Sequence, residues 1–153
     1  DGAFKRMAPE QWFEVIHTNL CSLYNVTQPL FDAMCEQSDA RIINISSVNG
    51  QKGQFGQVNY SAAKAGMLGF TKALAAEGAR FGVTVNAIAP GYTATPMVEA
   101  IRTDILDSIK ADIPMRRLAK PEEIAAAVVF LASEAGAYIT GETLAINGGL
   151  YMK

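Results

Sequence analysis

The pattern that most constrains the fold is a strand, a helix and a second strand in the middle of the chain. Residues 41–46 (RIINIS) and 83–89 (VTVNAIA) are short runs rich in β-branched residues, which is typical of buried strands. Residues 60–81 between them are Ala-rich and helical in composition, and Gly82 marks the end of that helix. Near-continuously apolar strands joined by a helix indicate a parallel βαβ unit.

The segment before this unit is predicted to be a long helix over residues 9–35. Pro9 suits a first helical turn, and apolar residues then recur with a helical period. Thr27 and Pro29 lie within the pattern, so we expect a kink or break near them.

The segments after the unit predict two more helices and a third strand. A loop and helix span residues 95–110, a helix with a buried stripe spans 121–133, and a short strand spans 143–146. The glycines between the first strand and the central helix indicate a loop. The sequence therefore predicts an α/β fold with about three parallel strands and helices on both faces.

A three-stranded parallel sheet would leave bare hydrogen-bonding groups along residues 41–46 or their neighbour. We therefore expect residues 1–153 to be a single domain that forms the C-terminal portion of a larger fold. Exposed edges also argue for a homo-oligomer, a tetramer or a dimer, over a monomer.

The composition narrows the classes of partner. The chain is 50% hydrophobic and 18% charged, with a net charge of −2, so we expect a globular protein that binds neither nucleic acid nor an anionic membrane. Its longest apolar run, residues 124–132, is less than half of the roughly 20 residues of a membrane helix. Two cysteines suit a reducing cytoplasm, and the motifs predict no metal site.

The chemical signal is Tyr60 with Lys64 at the start of the central helix. Their spacing of four puts both side chains on one helix face, one turn apart. A neighbouring ammonium stabilises a phenolate, and such a tyrosine can move a proton during carbonyl–alcohol interconversion. Ser47 and the Pro90-Gly91 pair follow the two predicted strands, so they fall at the same sheet edge, where ligands of open α/β sheets bind.

These residues make the chain resemble the short-chain dehydrogenases/reductases over its whole length. The resemblance implies a Rossmann-like, doubly wound parallel sheet. Residues 46–57 look like those of the acetoacetyl-CoA reductases of polyhydroxyalkanoate synthesis. The matching positions are Asn19, Ser47, Tyr60, Lys64, Asn86, Pro90, Gly91, Thr95 and residues 146–149.

The resemblance also implies roles for individual residues. Tyr60 would be the general acid, Ser47 would hold the substrate carbonyl oxygen, and Lys64 would stabilise the Tyr60 phenolate and bind the nicotinamide ribose. Asn19 would position a water in a proton relay, which would also explain a helix break nearby. The implied cofactor-binding residues are Tyr60, Lys64, Pro90, Gly91, Tyr92, Thr93 and Thr95; the implied substrate-binding residues are Asp1, Gln54, Phe55, Gln57 and Tyr92.

The function implied is NADPH-dependent reduction of an acyl-CoA thioester, acetoacetyl-CoA, to the (R)-3-hydroxyacyl-CoA. The family's glycine-rich dinucleotide half has no counterpart in this sequence, and that half chooses NADP over NAD. Two alternatives stay open: a 3-oxoacyl-[acyl-carrier-protein] reductase, and a catalytically inactive fragment that folds by oligomerising.

Overall fold

A computed structural model describes residues 2–152 of the chain. Its helices are α1 (Pro9–Ile16), α2 (Ser22–Gln37), α3 (Val48–Lys52), α4 (Val58–Gly78), α5 (Pro96–Glu99), α6 (Thr103–Asp112) and α7 (Pro121–Ala132), and its strands are β1 (Arg41–Ile45), β2 (Thr84–Pro90) and β3 (Thr143–Ile146). Single 3-10 turns occupy Phe4–Arg6, Ala79–Phe81 and Glu134–Gly136, and a π-helical segment occupies His17–Cys21.

The three strands form one parallel sheet in the order β1-β2-β3, which confirms the predicted α/β class. Arg41 pairs with Thr84 at one end of the β1–β2 ladder, and Pro90 pairs with Ile146 at the end of the β2–β3 ladder. The central strand β2 is buried on both faces along 84–89, because α4 packs against it and α7 packs against β1 and β2. The carboxyl ends of all three strands therefore meet at one edge.

The core joins the sheet to α4 and α2. Ile42 of β1, Val85 of β2 and Ala75 of α4 are buried together, and Phe31 and Met34 of α2 pack against them. A buried hydrogen-bond chain crosses the same interface: Asn44 Nδ2 donates to Thr71 Oγ1 (2.9 Å), and Thr71 Oγ1 donates to the Met67 carbonyl (2.8 Å). These two hydrogen bonds hold α4 over β1, because a buried polar group without a hydrogen-bond partner would destabilise the fold.

The first helix breaks at a different place from the one predicted. Pro29 lies inside α2 without ending it, and the irregularity is the π-helical segment at His17–Cys21. Pro29 is exposed, as are Gln28 and Leu30 beside it. The irregularity thus lies in the segment that contains Asn19, and the prediction of a kink or break near Thr27 and Pro29 was wrong.

Other boundaries shift by a few residues. The predicted loop after β1 contains the short helix α3, and the segment 95–110, predicted to be a loop and a helix, contains the two helices α5 and α6. The strand predicted over 143–146 is confirmed at those bounds. None of the helices among residues 2–152 combines the length and the apolar character needed to cross a membrane.

Candidate active site

The carboxyl ends of β1 and β2 open into one cleft. Ser47 follows β1, residues 91–95 follow β2, and Tyr60 approaches from the first turn of α4. The space they enclose is about 950 Å³, including solvent at its mouth. Its lining residues are Ser47, Val48, Asn49, Gln57, Tyr60, Gly91, Tyr92, Thr93, Thr95, Met97 and Val98.

Ser47 is the N-cap of α3, and this position fixes its side chain. Its backbone is extended, and its Oγ accepts a hydrogen bond from the Asn49 N–H at 3.1 Å. That bond uses a lone pair of the oxygen, so the hydroxyl hydrogen stays available for a substrate carbonyl. The preceding Ser46 fixes the approach, since its N–H donates to the Ile88 carbonyl at 2.7 Å and its Oγ donates to the Lys64 carbonyl at 2.9 Å.

Tyr60 is anchored through its neighbour Asn59, which is buried. The Asn59 amide donates to the Gln11 carbonyl of α1 at 3.0 Å, and Asn59 Oδ1 accepts from the Tyr60 N–H at 2.9 Å. The start of α4 is thereby tied to α1, and the tyrosine is fixed at the wall of the cleft.

Lys64 lies one turn beyond Tyr60 on the same helix face. Its Nζ is 5.6 Å from the centroid of the Tyr60 ring and donates to the Ile45 carbonyl at the end of β1, at 2.8 Å. Partial burial lowers the pKa of the Lys64 ammonium from its ordinary value, because desolvation disfavours the charged form. Lys64 is not among the residues that line the cleft, but its ammonium has three donors and uses one on Ile45, so two remain for acceptors beside Tyr60.

Gly50 allows α3 to lie directly against α4. A Cβ atom at Gly50 would fall 2.7 Å from the Lys64 carbonyl carbon and 2.9 Å from the Lys64 Cβ. Only a residue without a side chain permits this approach, which sets the separation between the turn that carries Ser47 and the helix turn that carries Lys64.

The strip of residues 91–95 forms the opposite wall. The Gly91 N–H donates to the Ile146 carbonyl of β3 at 2.9 Å, and a Cβ atom at Gly91 would lie 2.8 Å from the Asn147 Cα. Farther along, the Ala94 N–H donates to the Ala119 carbonyl at 2.8 Å, and the Ala119 N–H donates to the Tyr92 carbonyl at 2.9 Å. The strip therefore runs between β3 and the segment before α7.

Of the remaining residues implied by the resemblance, some line the cleft and others do not. Gln57 lines the cleft and accepts through Oε1 from Asn49 Nδ2 at 2.9 Å. Gln54 and Phe55 are outside the lining: Gln54 Oε1 accepts from Lys52 Nζ at 2.7 Å, and the Phe55 side chain is 90% exposed. Pro90 ends β2 beneath the strip.

Asn19 lies in the π-helical segment, where its Nδ2 donates to the Val15 carbonyl at 3.1 Å. The same segment packs on α4 through Leu20, whose side chain meets the position of Gly66. Asp1, the proposed rim residue, lies outside the described residues. Among residues 2–152 there is no group of three or more His, Cys, Asp or Glu side chains placed to hold a metal ion.

Sequence reasoning missed four residues of the cleft: Val48, Asn49, Met97 and Val98. Val48 and Asn49 belong to α3, which the sequence analysis treated as loop. Met97 and Val98 follow Pro96 at the start of α5, and Pro at a first helical position directly after Thr95 was the available signal.

Known proteins are similar to this chain along almost its whole length. The sequence profile of a family described as enoyl-(acyl carrier protein) reductase matches residues 1–151. The chain is 67% identical over 152 residues to an acetoacetyl-CoA reductase of Acinetobacter sp. (strain RA3849), covering 99% of this chain and 61% of that relative.

Two further relatives have different names. Nodulation protein G of Azospirillum brasilense is 63% identical over 150 residues, which are 98% of this chain and 61% of that protein. A 3-oxoacyl-[acyl-carrier-protein] reductase of Vibrio harveyi is 48% identical over 152 residues, which are 99% of this chain and 62% of that protein. The chain thus spans about three fifths of the length of these relatives. The match of the profile to nearly all of its residues shows that it belongs to the short-chain dehydrogenase/reductase family.

Proposed function

We propose that the full-length gene product carrying this chain reduces acetoacetyl-CoA to (R)-3-hydroxybutyryl-CoA with NADPH. The observation that carries the proposal is the cleft at the carboxyl edge of the sheet, which Ser47 and Tyr60 line together with residues of the strip 91–95. Lys64, one turn from Tyr60, supplies the positive charge that a proton-donating phenol needs. The 67% identity to a protein named acetoacetyl-CoA reductase supports the choice of substrate.

The donors around the cleft fit a nicotinamide nucleotide. Lys64 Nζ has donors to spare for ribose hydroxyls, and the strip offers the Thr95 hydroxyl. The Thr93 hydroxyl donates to the Gly91 carbonyl at 3.3 Å and keeps its lone pairs as acceptors. We propose that Tyr60, Lys64, Pro90, Gly91, Tyr92, Thr93 and Thr95 hold the nicotinamide end of the cofactor. When bound, the nicotinamide supplies a hydride to the substrate carbonyl carbon.

Residues of this chain donate the proton and stabilise the charge that develops during the reaction. Ser47 donates its hydroxyl hydrogen to the carbonyl oxygen and so fixes the thioester for reaction. Tyr60 Oη gives its proton to that oxygen, and the Lys64 ammonium stabilises the phenolate that results. Asn19 positions a water that returns a proton toward Lys64 and Tyr60.

The acyl thioester lies against residues 54–57 in this proposal. Gln57 and Tyr92 line the cleft. We propose that Gln54, Phe55 and Asp1 contact the thioester as well. The exposed Phe55 ring offers an apolar surface for the acyl-CoA arm.

A carrier-protein thioester is the second candidate, favoured by the 48% identity to a 3-oxoacyl-[acyl-carrier-protein] reductase. A carrier protein is acidic and requires a basic docking patch. Rates measured on acetoacetyl-CoA and on the matching carrier-protein thioester separate the two candidates, because the proposal requires a higher kcat/KM for the CoA ester.

The central experiment is Tyr60→Phe in the full-length gene product. Loss of the proton donor should lower kcat by about 10²–10⁴-fold, while NADPH binding measured by fluorescence stays within a few-fold of the parent. Tyr138→Phe is the matched control, because the Tyr138 side chain is fully exposed and makes no part of the cleft. Turnover retained by Tyr60→Phe would refute the proposed role.

The 153-residue chain on its own poses a separate question. NADPH fluorescence titration combined with mass determination in the same buffer tests it. Saturable binding would support a nicotinamide site within this chain, whereas a large assembly without binding would support an inactive fragment.

We propose a homo-oligomer in the cytoplasm, and the free cysteines Cys21 and Cys35 fit a reducing compartment.

A further inference from the structure

The strip that faces Tyr60 is supported by a second irregular segment, residues 113–120, which we call the strap. The strap starts at the buried Ile113 and touches the turn after β3, where the Met115 N–H donates to the Gly148 carbonyl at 3.1 Å. It then pairs with the strip through the two hydrogen bonds between Ala119 and the strip residues Tyr92 and Ala94. The position of the strip thus depends on the position of the strap.

One carboxylate holds the far end of the strap. Glu123, in the first turn of α7, accepts two hydrogen bonds from the Arg117 guanidinium, one on each oxygen and both at 2.7 Å. The oxygen Oε2 also accepts from the Lys120 N–H at 2.7 Å, and Arg117 Nη1 reaches the Leu118 carbonyl at 3.1 Å. Glu123 therefore ties both flanks of Ala119 to the start of α7.

We propose that Glu123, acting through Arg117 and the Lys120 N–H, is a positioning residue that orders the strip 91–95 for the nicotinamide cofactor. The inference rests on the proposed function for its cofactor. It requires in addition that the strip be ordered by a side chain outside the cleft wall, which the proposed function alone does not require.

The geometry distinguishes this pair from an ordinary surface ion pair. Arg102 and Asp104 also form a two-point contact, with Arg102 Nε 3.0 Å from Asp104 Oδ1, and both residues are exposed. Their contact spans two residues of one helix start and touches neither strap nor strip. The Arg117–Glu123 contact spans six residues and brackets Ala119, so its loss frees a segment instead of one side chain. The contact is intact at neutral pH, because the Arg117 hydrogen bonds hold the pKa of Glu123 at about 2.

The first readout is amide hydrogen exchange, which needs neither cofactor nor turnover. In the full-length gene product, Glu123→Ala should raise exchange at the Ala94 and Ala119 N–H groups about tenfold or more, because both lose their fixed partners. Asp104→Ala is the matched control and should leave both amides unchanged. Unchanged exchange in Glu123→Ala would overturn the inference.

The second readout compares the KM for NADPH with the KM for acetoacetyl-CoA. Glu123→Ala and Arg117→Ala should each raise the KM for NADPH by about three- to tenfold and leave the KM for acetoacetyl-CoA within twofold. The double variant should be no worse than the more impaired single variant, since both remove the same contact. Equal changes in both KM values would indicate general loosening and would overturn the inference.

Failure of the proposed function and failure of this inference give different experimental results. If the parent protein binds no nicotinamide nucleotide and reduces no thioester, the proposed function fails, and the inference fails with it as far as the cofactor is concerned. Hydrogen exchange then still decides whether Glu123 orders the strip. If the parent is active and Glu123→Ala matches it in exchange and in both KM values, only the inference fails.

Discussion

Gly50→Ala is the perturbation that tests most directly how the site is assembled. The new methyl group would fall 2.7 Å from the Lys64 carbonyl carbon, and ordinary contacts begin at 3.4 Å, so α3 and α4 must separate by about 0.7 Å. The backbone of Lys64 is the obstacle and cannot swing aside as a flexible side chain would. Overpacking of this kind costs about 1–3 kcal/mol, which corresponds to a midpoint of thermal unfolding lower by roughly 2–12 °C.

The effect on catalysis should exceed the effect on stability. Ser47 caps α3 and Lys64 lies on α4, so separation of the two helices moves the two groups apart. A misplacement near 1 Å can cost about 100-fold in rate, and we expect kcat/KM for acetoacetyl-CoA to fall by about 10- to 100-fold.

The assay is NADPH oxidation with acetoacetyl-CoA, together with thermal unfolding, in the full-length gene product. Gly69→Ala is the control, because Gly69 lies on α4, the helix that carries Lys64, and a Cβ atom there would meet nothing within 4 Å. That variant should keep its activity and gain up to about 1 kcal/mol of stability from helix propensity. A Gly50→Ala protein with parental kcat/KM and an unchanged midpoint would refute the argument that this contact sets the site.

Three further predictions follow from the hydrogen bonds and charges. Since burial lowers the pKa of Lys64, cofactor affinity should fall with rising pH sooner than an exposed lysine would allow, and Lys64→Arg should move that fall to higher pH; fluorescence titrations from pH 7 to about 11 check this, and identical profiles would contradict it. The pKa of Glu123 drops from 4.5 when unfolded to about 2 when folded, so its stabilising contribution is complete above pH 4.5 and is lost as the pH falls through 2. The midpoint difference between the parent and Glu123→Gln should shrink over that window, and a difference independent of pH would argue against the ion pair as its source. Thr71→Val should cost about 1–3 kcal/mol in urea unfolding because it leaves the buried Asn44 amide without its acceptor, whereas Thr71→Ser should recover most of the loss.

Much of the fold could be predicted because local pattern and tertiary environment agree. The run that became β2 is buried at every position from 84 to 89, as a strand covered by helices on both sides must be. The strand Thr143–Ile146 is bounded by Gly141 and the Asn147-Gly148-Gly149 turn, and Gly141, Gly148 and Gly149 all have positive φ.

The helix irregularity could not be placed from sequence, because its cause is tertiary. Proline was the visible breaker, yet Pro29 is accommodated on the exposed side of α2. The π-helical segment instead lies where Leu20 packs on Gly66 of α4. That contact joins residues 46 positions apart, and no local pattern reports it.

Part of the candidate site could also be predicted from the sequence, and part could not. Tyr60, Lys64 and Ser47 could be found because each has a fixed spacing to an element boundary: the start of α4 or the end of β1. The strap and Glu123 could not be found, because the sequence shows only two arginines and an acidic first helical turn. Their relation to the strip appears only when Ala119 pairs with Tyr92 and Ala94.

The π-helical segment has a consequence for how the chain tolerates length changes. A π turn holds one more residue than an α turn, so removing one residue from His17–Cys21 would restore a regular α-helix. The wider turn absorbs the extra residue, because five π-helical residues turn the chain through about the same angle as four α-helical residues. After the deletion α1 would therefore keep nearly the same face toward α4, and the Gln11 carbonyl would stay near Asn59. A deletion of one residue here should therefore be less damaging than the same deletion within α1 or α2, where no wider turn absorbs the change of phase.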